Sequence, residues 1–257
     1  MKSSPRFTRL LWVVLLLAVW EITRRLSSAS VLAFPSVAMV AGRLVELLAT
    51  GLLMRQVAVS LGLISGGLVL AALPAGVLVL VSSRVRWVDS LLETMVTLFH
   101  PLPGIALLPV IILWFGIGVE AVMVVIVHSV FWPLITNLRA GREAMPAVYR
   151  RVAENLGMSA ADSFCRITLP AVTPYLISAL RICWARSWRA LISAEMVFGA
   201  VVAGGGLGWF LHSRRVFMDT TGLFVGLVVI MAVGVFVEDG VFRFVESRTV
   251  RRWGMNP

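Results

Sequence analysis

The chain alternates between long apolar runs and short clusters of arginine, acid, proline and glycine. Val57–Val81 is 25 residues without a charge, and Thr94–Val119 is 26 residues whose one ionisable side chain is His100. A helix climbs about 1.5 Å per residue, so about 20 apolar residues cross the ~30 Å hydrocarbon layer, where lipid offers no partner for an unpaired backbone group. Both runs therefore predict spans. Ala121–Leu138 and Thr220–Val237 each supply 18 residues, with His128 the one ionisable group between them, which suffices when flanking aromatics and arginines anchor the ends. Leu10–Ile22 extends to a span if Phe7 and Glu21 lie near the interfaces, and Val172–Phe198 makes one if its arginines face protein or water. The pattern predicts an all-α membrane protein of about six transmembrane helices.

Two connections exceed a turn. Residues 27–56 carry Phe34-Pro35-Ser36 and then apolar residues at Val37, Val40, Leu44, Leu47 and Leu48, which predicts a short surface helix. Residues 139–171 are charged and polar, with apolar positions at Val148, Val152, Leu156 and Phe164. The chain then divides into an N-terminal anchor and surface helix (1–56), a transmembrane core with its 139–171 loop (57–245) and a basic tail (246–257).

Composition sharpens this. Hydrophobic residues make up 59% of 257 and charged ones 14%, with a mean hydropathy of +0.94, which excludes a water-soluble chain. The net charge of +10 does not point to nucleic acid, because the basic residues are scattered between apolar runs instead of forming one polar face. They fit topology better. With the N-terminus inside, Lys2, Arg6, Arg9, Arg84, Arg86, Arg139, Arg142, Arg150, Arg151, Arg166, Arg243, Arg248, Arg251 and Arg252 are cytoplasmic. Arg24, Arg25, Arg43, Arg55, Arg214 and Arg215 lie opposite, so the bias puts both termini in the cytoplasm. Trp12, Trp20, Trp87, Trp114, Trp132, Trp209 and Trp253 fall near span ends and read as interfacial anchors. The first segment also has features of a secretory signal peptide, with Val31-Leu32-Ala33 as a loose cleavage site, but the polar, charged stretch after Trp20 favours an uncleaved anchor. Cys165 and Cys183 have no metal spacing and read as packing residues.

The 139–171 loop is the most informative segment. Tyr149–Gly157 predicts about two helical turns that end at Gly157, a residue suited to the left-handed C-cap. A second short helix begins near Ser159, and Ile167-Thr168-Leu169-Pro170 stops it before the fifth span. On these residues alone, a solvated linker with amphipathic helices on the bilayer fits as well as a docking element. The spacing Ala153, three residues, Gly157, nine residues, Ile167, one residue, Leu169-Pro170 resembles the loop motif of ABC importer permeases. Phe34-Pro35-Ser36, the run His100-Pro101-Leu102-Pro103-Gly104-Ile105-Ala106-Leu107-Leu108-Pro109, Leu113-Trp114-Phe115-Gly116-Ile117-Gly118, Ala194-Glu195-Met196 and Gly206-Leu207-Gly208 resemble, in order, the nitrate/sulfonate/taurine-type permeases. One departure is plain: Arg151-Val152-Ala153 puts arginine where the motif has its leading glutamate, and the acid follows at Glu154.

The resemblance implies a type I ABC importer permease fold, with Arg151, Val152, Ala153, Glu154, Gly157, Ile167, Leu169 and Pro170 in a coupling loop. It also implies two copies of a cytoplasmic ABC ATPase, a second permease copy in a homodimer, a periplasmic substrate-binding protein and the bacterial inner membrane. No cofactor is expected on this chain, since ATP would be used by the partner. Gly204-Gly205-Gly206-Leu207-Gly208 lacks the lysine of a phosphate-binding loop and reads as a bend after the fifth span. The solute class implied is a small anion such as a sulfonate, taurine, nitrate or an organic carboxylate.

Arg181, Arg186, Arg189 and Glu195 lie in the fifth span, where an ionisable group is costly unless it faces protein, a partner charge or water. Two readings fit: Arg186 and Arg189, three apart on one face, line an anion path that also includes Glu195, or they pair with Glu195 or carbonyls for structural reasons. In the structural reading Arg181 snorkels to the inner interface. His100 and His128 occur singly and read as satisfied packing residues, and Pro101, Pro103 and Pro109 should break or bend the third span. A secondary transporter or channel is the main alternative, though no acidic relay or inverted repeat is apparent. An intramembrane hydrolase is remote: Ser65-Gly66 has Leu63 where such serine sites need glycine.

Overall fold

A computed structural model describes residues 5–27, 33–200 and 204–249, and among the described residues there is no β-strand. The chain opens with α1 (Pro5–Leu26), α2 (Val37–Ala49) and α3 (Leu52–Ser82), then α4 (Arg86–Phe99), a 3-10 turn (Gly104–Leu107) and α5 (Leu108–Phe115). The long α6 (Val119–Glu143) leads into the loop helices α7 (Ala147–Asn155) and α8 (Ala160–Ser163). A π-helical stretch at Phe164–Thr168 joins α9 (Leu169–Phe198), which is followed by α10 (Leu207–Val216). The last elements are α11 (Thr220–Val235), a second π-helical stretch (Phe236–Phe242) and α12 (Arg243–Arg248).

Among the described residues four stretches are long and apolar enough to cross a bilayer: Leu52–Ser82, Val119–Glu143, Ala160–Phe198 and Thr220–Arg248. The α4 and Gly104–Phe115 pair makes a fifth, as a broken span or a re-entrant loop, bent by 87°. Thr94–Val119 is therefore not one straight span; it begins inside α4 and breaks where Pro101 and Pro103 remove two backbone donors within three residues. Pro109 does not kink anything, because it stands in the first turn of α5, where its missing N–H is no loss. Helix α1 falls outside the five since Arg6, Arg9, Glu21, Arg24 and Arg25 leave only Leu10–Trp20 uncharged.

Pro170 corrects a second expectation. The chain does not stop at Ile167–Pro170 but runs on without a break from α8 into α9. A proline in an α-helix clashes with the carbonyl four residues back, and the wider π turn at Phe164–Thr168 removes that clash.

The core forms around α6 and α9, with α3 packed on α6. Ile64 meets Ala121, Val122, Val125 and Ile126, together with Trp184, Trp188 and Leu191. Ala71, Ala75 and Val79 meet Val130, Leu134, Ala179 and Cys183. Helices α6 and α9 approach closely, since a Cβ added at Gly141 would lie 2.7 Å from Tyr175 Cβ. The predicted surface helix is α2: Val40 and Leu47 are buried against Leu53, Phe210 and Val225, so its apolar stripe packs on the ends of α10 and α11. Ser36 caps it by accepting from Met39 N–H at 3.3 Å, and Glu21 accepts from Val37 N–H at 3.2 Å. At the same end Asp219 accepts from Gly222 N–H at 2.8 Å and pairs with Arg214 at 3.1 Å and Arg43 at 3.6 Å. At the opposite end Arg139 pairs with Asp89 at 3.2 Å, Arg181 with Glu246 at 3.3 Å and Arg9 with Asp239 at 2.8 Å.

Residues 250–257 of the basic tail, Lys2 and Arg251 and Arg252 of the charge count, Trp253 of the anchors and Val31-Leu32 of the signal-peptide reading lie outside the described residues.

Candidate functional site

Two places gather the chemistry-bearing residues. The first is a cavity of about 660 Å³ where the α4–α5 break meets the middles of α6 and α9. From the break come His100, Pro101, Pro103 and Gly104; α6 gives His128 and Trp132, and α9 gives Arg186 and Arg189. Glycine at 104 lets the 3-10 turn lie on α6, for a Cβ there would sit 2.6 Å from Ser129 Oγ and 3.1 Å from the Val125 carbonyl.

Neither Arg186 nor Arg189 forms an ion pair among the described residues, and no aspartate or glutamate lines the cavity. A guanidinium at the centre of a bilayer costs about 2.5–3.5 kcal/mol on insertion scales unless water or protein receives it. Both arginines line the cavity, a space in which water or a ligand can receive them. The pair is therefore a standing positive field in a concave, partly apolar setting, where interactions with an anion are screened less than at a flat surface.

Glu195 sits elsewhere. Fully buried, its carboxylate accepts from Gly206 N–H at 2.8 Å and Gly208 N–H at 2.9 Å, while Ser60 Oγ accepts from Leu207 N–H at 2.9 Å. It caps the N-terminus of α10 and neither lines the cavity nor pairs with Arg186 or Arg189. Arg181 is the paired one, with Glu246 of α12.

His128 departs from its satisfied-packing reading. His100 and His128 share the cavity, and both ring nitrogens of His128 and the indole nitrogen of Trp132 are buried without a hydrogen-bond partner. Trp132 is not an interfacial anchor: it is 8% exposed, in the middle of α6. Sequence spacing placed Arg186 and Arg189 on one face, but the meeting of the two histidines and Trp132 with them depends on how the break folds back on α6. The i, i+4 relation of His128 and Trp132 was the one signal available.

The second place is the loop. Helix α7 ends as the sequence predicts, with Gly157 at φ +60° and Met158 N–H donating to the Ala153 carbonyl at 3.0 Å. Ser159 caps α8 by accepting from Asp162 N–H at 3.1 Å. Ala153 is buried, whereas Val148, Val152 and Leu156, one face of α7, are 56%, 41% and 70% exposed. Arg151, Glu154 and Leu169 are exposed as well, and Ile167 and Pro170 are half-buried at the junction with α9. Val148 and Val152 of α7 and Leu156 at its C-cap, four residues apart, form an apolar stripe with no partner among the described residues. Cys165 beside it is exposed and Cys183 is buried in the core, so only the latter is a packing residue.

Residues 58–251 match the family described as "Binding-protein-dependent transport system inner membrane component". The taurine transport system permease protein TauC of Escherichia coli (strain K12) is 31% identical over 172 residues, 67% of this chain and 60% of that protein. The nitrate import permease protein NrtB of Leptolyngbya laminosa is 29% identical over 196 residues, 76% of this chain and 68% of that one. The riboflavin transport system permease protein RibX of Chloroflexus aurantiacus is 28% identical over 244 residues, 94% of this chain and 88% of that one.

Proposed function

Because this chain belongs to the binding-protein-dependent transport system inner membrane components, we propose that it is the membrane-spanning permease subunit of an ATP-driven importer for a small anionic solute. It is a multi-pass inner-membrane protein of α-helical fold. The observation that carries the importer reading is the bare apolar stripe of Val148, Val152 and Leu156 on a loop with the motif spacing Ala153, Gly157, Ile167, Leu169-Pro170. A stripe of that kind is what a groove on a cytoplasmic ATPase receives.

In this reading two ATPase copies bind and hydrolyse ATP, this chain holds no cofactor, and both its termini are cytoplasmic. The permease core is residues 57–245. A second copy of the chain pairs with it as a homodimer, and a periplasmic binding protein delivers the solute to the end where α2 and α10 lie. Movement of the ATPases reaches the membrane through α7, α8 and the continuous α8–α9 junction, which ties loop displacement directly to the helix that carries Arg186 and Arg189. Those two arginines line the path for the anion. Glu195 positions α10 and takes no part in the path.

The relatives' names cover taurine, nitrate and riboflavin, so kinship leaves the solute open and the cavity must supply the chemistry. The test is co-purification of the detergent-solubilised chain with the ATPase encoded beside it, for the natural sequence and for Gly157→Asp. Co-purification that the substitution abolishes supports the reading. A natural chain that captures no ATPase overturns it and favours a secondary transporter.

A further inference from the structure

The cavity is lined by two unlike sets of side chains. From α9 come Arg186 and Arg189, with no ion pair among the described residues. The same cavity is lined by the apolar rings of Pro101, Pro103 and Pro133 and by the 8% of Trp132 that is exposed. The indole is fixed in place, stacked on Phe99 at 5.2 Å between centroids and 14° between planes, with Phe131 edge-on at 5.0 Å. Such a wall is ordered before any ligand arrives, so packing against it costs little further side-chain entropy.

Size narrows the ligand. About 660 Å³ falls in the volume range of small-molecule pockets. An inorganic anion of a few atoms would reach the arginines, leave most of the space to water and gain nothing from the ring wall. The cavity is built for a body as well as a charge.

Resting on the permease reading, we infer that the cavity recognises a flat organic anion, an arene sulfonate or arene carboxylate. Its acid group binds the Arg186–Arg189 wall and its ring lies against Trp132 and the prolines. Guanidinium groups suit both halves of such a molecule, since they bind an acid group through two parallel N–H donors and stack on an aromatic face. Indole offers the larger and more rigid apolar contact.

The experiment compares benzenesulfonate with methanesulfonate, two probes with the same head group that differ by the ring, on the full chain purified in detergent at fixed ionic strength. Arg186→Gln/Arg189→Gln serves as the blank for partition into the micelle, and binding is read by equilibrium dialysis. The expected result is that benzenesulfonate binds about tenfold tighter or better than methanesulfonate, the scale of one aromatic contact. The double arginine variant should lose both ligands, and Trp132→Leu should lose the ring preference while keeping methanesulfonate. Equal binding of the two probes, a ring preference that survives Trp132→Leu, or binding of neither overturns the proposal. If Trp132→Leu does not purify as a monodisperse species, Trp132→Met replaces it, and the comparison of the two probes on the natural chain decides by itself. None of these outcomes touches the capture of an ATPase, so failure here and failure of the permease reading are separate results.

Discussion

At the scale of single residues, α9 shows how neighbouring charges on one helix take different work. Arg181 pairs with Glu246, Glu195 caps α10, and Arg186 and Arg189 are left facing the cavity. Replacing both cavity arginines by glutamine should lower solute uptake about 10- to 100-fold, the scale of one lost charge-assisted hydrogen bond, with ATPase capture unchanged. Glu195→Ala should leave the uptake defect secondary to a stability defect, because two buried N–H groups lose their acceptor at about 1–3 kcal/mol each. A lowered melting temperature in detergent, partly restored by Glu195→Gln, is the expected readout. Asp219 supplies a pH test outside the spans. Burial opposes its charge, but the Gly222 N–H, Arg214 and Arg43 outweigh burial and hold its carboxyl below the usual carboxylate value. A depressed carboxyl stabilises the fold at any pH above its unfolded value, about 3.9, and that contribution is lost as pH falls through the lower folded value. Melting temperature should therefore be insensitive to this group from pH 7 to about 5 and drop below about pH 4, and Asp219→Asn should remove that part of the acid dependence.

At the scale of elements, what could be read from the sequence divides by how local its cause is. The end of α7 at Gly157 and the start of α8 at Ser159 were legible because a left-handed glycine and a serine cap act within a turn. The junction at Pro170 was misread, since whether a proline ends a helix or is absorbed depends on the turn before it, and the π-helical stretch at Phe164–Thr168 leaves no mark in composition. The break at Pro101–Pro103 was legible as a break, but its 87° angle was not, nor was the meeting of His100, His128 and Trp132 that the angle creates. Spacing put Arg186 and Arg189 on one face, and both line the cavity, while Glu195, grouped with them in the sequence, caps α10 across a turn at Gly206–Gly208. The α6–α9 contact at Gly141 yields a packing test: Gly141→Val should overpack against Tyr175 and destabilise the chain by about 1–3 kcal/mol, seen as a lower melting temperature.

At the scale of the whole molecule, the two ends carry different equipment. One end holds α2, α10 and the Asp219 cluster; the other holds α7, α8 and the pairs at Arg139, Arg181 and Arg9. The proposed orientation gives a direct check, because Cys165 is exposed on the loop side and Cys183 is buried. A membrane-impermeant maleimide should label Cys165 in inverted vesicles and not in right-side-out ones, and bound ATPase should protect it. The Pro101–Gly104 break has one more consequence. Helices α6 and α9 are constrained at almost every turn by what they touch, whereas the prolines of the break face the cavity and bear little of the core. Drift in those few adjacent codons can reshape the solute wall without disturbing the bundle, so a lineage of such chains can change its diet while keeping its architecture.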